Sequence, residues 1–98
     1  MYLQVKRIFV EKEYIAQFTE KWLIRERIID GLDQVLVFVD DKDKSDIREI
    51  MIQLHWESRK KCLAWKVHPD HVAGHKKAGV RPEWVIKSES KGYTLCQK

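Results

Sequence analysis

Cysteine is scarce in this chain: Cys62 and Cys96 are the only two, and they form no CxxC pair. Two isolated cysteines make no disulfide framework and no paired thiol motif, which points to a reducing compartment and so to the cytoplasm. Glycine is also sparse. Its four residues are scattered, so there is no glycine-rich phosphate loop, and no GxSxG elbow occurs. No apolar run approaches the roughly 20 residues that cross a bilayer. The opening MYLQVKRIFV alternates apolar and polar residues and does not read as a signal peptide. Charge is not strongly of one sign either. Nineteen Lys and Arg stand against fifteen Asp and Glu, a net of +4. The densest basic stretches, Arg59-Lys60-Lys61 and Lys76-Lys77, are short. A nucleic-acid binder concentrates its cations on one face, so the balance reads as a solvated surface with no nucleic-acid partner and no membrane partner.

What is present is globular composition, 44% hydrophobic and 35% charged, over 98 residues. That length suits one domain, 1–98. Tyr2 to Val10 alternates and is rich in β-formers, so it reads as a strand. From Tyr14 to about Arg27 the apolar spacing becomes Ile15, Phe18, Trp22 and Leu23, which is helical. Asp30-Gly31 breaks the helix. Val35 to Val39 is a short apolar strand, the polar run from Asp40 to Asp46 a hairpin loop, and Glu49 to Trp56 a third strand. Ser58 is placed to cap a second helix through Cys62, Leu63 and Trp65. His68-Pro69 interrupts it, and a further helical stretch runs from Asp70 to about Lys77, ended by Gly79. Arg81-Pro82 is loop, and Trp84 to Ile86 follows neither period. The last strand reads as Tyr93 to Cys96, with a start as early as Ser88. The order is β-α-β-β-α-β, an α+β chain with a ferredoxin-like antiparallel sheet.

The strands also bear on assembly. Val35-Leu36-Val37-Phe38-Val39 is apolar on both faces. In the third strand Ile50, Ile52, Leu54 and Trp56 share one face, and Met51, Gln53 and His55 the other. Two helices shelter one face of a four-stranded sheet, and a sheet with a solvated second face should alternate cleanly. Large apolar patches are rarely left in water. A second copy of the same sheet is the simplest cover, which predicts a face-to-face homodimer. The second face offers no pair of aromatics on its third strand, as an RNA-binding sheet would.

The stretch HWESRKKCLAWKVHPDHVAGH, His55 to His75, carries the most specific signal. A strand ending in Trp-x-Ser, a Trp nine residues after the first and a His ten residues later are Trp56, Ser58, Trp65 and His75. With VKRIFVEKE before an amphipathic helix, and Gly31 before an apolar strand, this resembles the antibiotic biosynthesis monooxygenase family, including its haem-degrading branch, over about residues 1–80. The resemblance implies a dimeric α+β barrel with a pocket between helices and sheet in each subunit. It implies His75 as axial ligand of the haem iron, its one metal role, and Trp65 in the haem pocket. The branch has an Asn on its first strand where this chain has Lys6, or Arg7 if the register slips by one. A long cation there would pair with a propionate or another anionic ligand.

The residues alone leave alternatives open. A neutral imidazole suits haem iron, and Ala73 and Gly74 beside His75 would let a flat cofactor approach. Equally, Trp65 and Cys62 pack a helix on a sheet, Trp56 reads as core, and Cys62 as an inert buried thiol. His68, His71 and His75 fall at i, i+3 and i+7, and one helix face bearing three imidazoles, with His55 as a further ligand, would suit zinc or copper. The functional readings are therefore a monooxygenase that degrades haem, a cofactor-independent monooxygenase of a small aromatic substrate with His55 or His75 as base, and a module that holds haem or another anionic small molecule without turning it over. Trp65, Lys6 and His55 are the catalytic candidates, and His75 and Arg7 the cofactor-binding ones.

Overall fold

The computed structural model describes residues 1–23, 29–42, 45–79 and 81–96, without the side chains of residues 23, 75, 77 and 78. Four strands, β1 (Tyr2–Glu11), β2 (Leu32–Val39), β3 (Ile47–Trp56) and β4 (Val85–Thr94), form one sheet in the order β2-β3-β1-β4. Every neighbouring pair is antiparallel. A 3-10 turn, Lys12–Tyr14, leads into α1 (Ile15–Leu23), and α2 (Arg59–Lys66) and α3 (Pro69–Ala78) follow β3. The sequence period of two in β1 and β3 becomes two sheet faces. Ile8 and Val10 of β1 and Ile50, Ile52, Leu54 and Trp56 of β3 are buried, together with Ile29, Cys62 and Val85. Phe18 and Trp22 of α1 and Trp65 of α2 pack onto that core, so the helices share the face of the even-numbered residues of β1 and β3.

Local chemistry fixes the connections. Gly31 has φ +82°, and a Cβ there would run into the stem of Lys61. Its carbonyl accepts from Glu57 N at 2.7 Å, and Lys61 Nζ bonds Asp30 at 2.7 Å, tying the entry of β2 to the end of β3 and the start of α2. Ser58 caps α2 through its Oγ, which accepts from Lys61 N at 3.2 Å. His68 does the same for α3: its Nδ1 accepts from Asp70 N at 3.1 Å. Pro69 opens α3, where its missing N–H costs nothing.

The main correction lies at the C-terminal end. The last strand is Val85–Thr94, and Cys96 lies beyond it, exposed. Only Val85 of β4 is buried, so the strand is held by its ladder to β1 and shows no apolar period from which its start could be read. Trp84, just before it, stacks on Tyr14 at 4.9 Å and meets Phe18 edge-on, closing one end of the core.

Candidate functional site

The register divides the five candidate residues between two faces. Lys6 stands opposite Ile52 of β3 and Ser90 of β4, hence on the helix side. Its ammonium lies 5.4 Å from the Trp22 ring in the last turn of α1. Two residues back on the same face, Gln4 accepts a weak hydrogen bond from Cys62 Sγ of α2 at 3.8 Å and reaches Ser90 Oγ at 3.5 Å. Lys6 is therefore a cation on the sheet floor between α1 and α2. Burial pushes the Cys62 thiol up, against the opposing pull of Lys66, Lys6 and Arg59. That thiol is held protonated and is no nucleophile.

Trp65 lies one turn beyond Cys62, half-buried against the core. Its outer side meets two imidazoles: His68 stacks on it at 5.3 Å and His71 tilts against it at the same distance. His71 Nδ1 is 3.1 Å from the carbonyl of Lys66. The two rings flank an indole rather than converge on a cation, and no cluster of metal-ligating side chains occurs among the described residues. His75 lies in α3, one helical turn after His71, with its side chain outside the described set. Every described residue of α3 is exposed or half-exposed, and the Cβ direction of Gly74 opens onto empty space.

Arg7 and His55 lie on the other side of the sheet. Arg7 stands opposite Met51 and Glu89 and forms ion pairs with Glu49 and Glu89. These carboxylates, Glu49 first, raise the Arg7 pKa above its ordinary value. His55 stands opposite Leu3 and Gln34 and shares a 3.2 Å hydrogen bond with Gln53. Of the two first-strand candidates, Lys6 is on the helix side of the sheet and Arg7 on the opposite side. His55, too, is out of reach of a cleft between helices and sheet. The polar sites that sequence reading missed are Gln4 and Trp22. The alternation through Lys6 marks Gln4, and nothing in one sequence marks Trp22 as the residue beneath the cation.

The second face carries a groove of about 330 Å³ at its β2–β3 end, lined by Phe38, Val39, Asp40, Lys42, Glu49 and Met51. It lies on the opposite side from Lys6 and Trp65.

No family model matches the chain. The haem-degrading monooxygenase HmoA of Bacillus subtilis is 26% identical over an alignment of 99 positions, spanning 95% of this chain and 89% of that protein. A Bacillus cereus protein assigned to the antibiotic biosynthesis monooxygenases superposes with a TM-score of 0.77 at 19% identity, over 99% of this chain and 94% of that one. The haem degrader MhuD of Mycobacterium tuberculosis, solved with two haems in its active site, gives 0.62 at 18% identity, over 100% and 98%. The chain has the fold of the antibiotic biosynthesis monooxygenases, and its sequence is similar to a haem-degrading monooxygenase.

Proposed function

We propose that residues 1–98 form a single monooxygenase domain of the haem-degrading type that binds its substrate between α3, α2 and the sheet, and works in the cytoplasm as a homodimer. The observation that carries the reading is Trp65, half-buried against the core on α2, together with an α3 that leaves the Gly74 side open, in a chain similar to a haem-degrading monooxygenase. The residues suit haem. Lys6 offers a cation to a propionate. Trp65 supplies an apolar wall, and the open side of Gly74 admits a flat ring close to α3. By its place in the sequence pattern, His75 would be the residue that holds the haem iron. Bound there, haem brings an iron able to engage dioxygen once it is supplied with electrons. The protein's own part is to hold the ring, neutralise its carboxylates and keep water from it.

Hemin titration tests this. The expected result is a Soret shift in the wild type that His75→Ala abolishes. Adding reductant and oxygen should then bleach the band with release of iron. A stable band would mean a haem-holding module. The presence of Lys6 where the haem-degrading branch has Asn favours one second reading, a cofactor-independent oxygenase whose anionic aromatic substrate pairs with the lysine. An unchanged hemin spectrum would replace the first reading by the second.

A further inference from the structure

The net charge of this chain is concentrated in one short segment. Residues 58–79, which contain α2 and α3, hold six of the nineteen cations and one of the fifteen carboxylates, a net of +5. The remainder, with thirteen cations and fourteen carboxylates, is at −1. Helical spacing sorts these cations. Cys62 and Ser58 turn toward the sheet, while Arg59, Leu63 and Lys66, at i, i+4 and i+7, form the outward ridge of α2, with Lys60 beside them. Lys61 is engaged with Asp30, but Arg59, Lys60 and Lys66 have no ion-pair partner among the described residues. Between and beyond them lie apolar side chains in water: Leu63 is 45% exposed, Val67 77% and Val72 43%. An apolar centre rimmed by cations has the anatomy of a protein interface with an acidic partner. This patch is small, in the range of transient redox encounters rather than permanent assemblies. It surrounds the outer side of the Trp65 helix.

We infer that the outward face of α2 and the α2–α3 turn is the docking surface for a small acidic electron-carrier protein, an iron–sulfur or flavin protein. The inference rests on the haem-degrading reading, because that chemistry requires an external electron donor. Each oxygen atom inserted takes up two electrons and two protons, the second oxygen leaving as water, and the carrier is oxidised by one electron per encounter. Docking on α2 brings the carrier to the helix that packs Trp65 over the proposed pocket. A second copy of this chain does not suit the patch, since like charges would meet. A lipid surface suits it less well, because the exposed apolar centre is Leu and Val without an aromatic anchor.

The probe is a plant-type [2Fe–2S] ferredoxin. With the haem-free protein, oxidised ferredoxin should shift the methyl resonances of Leu63, Val67 and Val72 at low ionic strength. The shifts should vanish as ionic strength rises from about 0.01 M to about 1 M, where the Debye length shrinks from ~30 to ~3 Å. Arg59→Glu/Lys60→Glu/Lys66→Glu should abolish them. With hemin loaded, reduction by ferredoxin at low salt should slow about tenfold or more in that variant, in keeping with lost steering, while reduction by dithionite stays unchanged. Salt dependence of the wild type keeps the test valid should the triple variant misfold. Absence of methyl shifts, ferredoxin reduction at the wild-type rate in the variant, or charge-dependent binding to phosphatidylglycerol vesicles in place of ferredoxin would overturn the docking surface. Failure of hemin to bind would overturn the haem reading instead, and the methyl shifts report on docking independently of it.

Discussion

Single residues decide the chemistry available on the helix side, and Cys62 shows how. It is buried, its thiol hydrogen bonds to Gln4, and burial raises its pKa above the ordinary 9.0. In the unfolded chain the thiol ionises near its ordinary value, so between the two values the native state holds the proton that the unfolded state has lost. Stability from this group is therefore complete below about pH 9 and falls as pH climbs toward the folded value. Urea titrations across that range should show the midpoint dropping, and Cys62→Ala should flatten the drop relative to wild type. A slope unaffected by the substitution would mean another group carries it. The same sequence that predicted an inert Cys62 also predicted Trp56 as core and Ser58 as a cap, because each follows from period or local chemistry alone. The choice between Lys6 and Arg7 did not, since neighbouring residues in a strand point to opposite faces and only the pairing with Ile52 says which face is roofed.

At the scale of elements, β1 and β3 were legible because burial imposes a period on them, and β4 was not because almost nothing buries it. The site inherits this. The helix-side face of β4 offers Ser88, Ser90 and Gly92, all exposed, opposite Ile8, Lys6 and Gln4. One side chain does reach across: Tyr2 lies over Gly92, so that a Cβ on Gly92 would collide with the tyrosine hydroxyl and ring. An aromatic covering a strand glycine shields backbone that would otherwise be wet. Gly92→Ala must swing that ring aside. Its gain in strand propensity is small, and we expect a net loss of about 1 kcal/mol by urea denaturation, within the usual range for contacting pairs. In a Tyr2→Ala background the same substitution should cost nothing. Equal costs in both backgrounds would show that the ring moves freely and does not hold β4. The α2–α3 break is a second case. His68-Pro69 was readable as an interruption, but the use of His68 Nδ1 as the cap of α3 required seeing the bond to Asp70 N.

At the scale of the molecule, the sheet has one roofed face and one bare one, and the bare face is what a second copy would cover. Its rows run Phe38-Met51-Arg7-Glu89, Leu36-Gln53-Val5-Lys91 and Gln34-His55-Leu3-Tyr93 across the strands. The apolar members form a diagonal from Phe38 and Met51 through Leu36 and Val5 to Leu3 and Tyr93. Phe38 and Tyr93 are each 46% exposed. Two of the three charged members beside them are already paired within the chain: Arg7 with Glu49 and Glu89, and Glu89 with Lys87 at 2.9 Å, whose hydrogen bond lowers the Glu89 pKa, while the Lys91 ammonium lies 5.4 Å from the Tyr93 ring. Paired charges can be covered with less loss than free ones. Four strands about 4.8 Å apart and about ten residues long make a flat face of ~600 Å², and a side-chain surface is rougher and larger than its projection. That approaches the ~800 Å² per partner of a stable complex. Sedimentation at micromolar concentration should therefore give twice the 11.8 kDa chain mass. Val5→Lys, in the middle row, would set a free cation in the centre of the apolar diagonal and beside Lys91 in its own sheet. It should give a monomer that retains its circular dichroism. A wild-type monomer under the same conditions would leave the diagonal without its partner, and the pair of sheets with it.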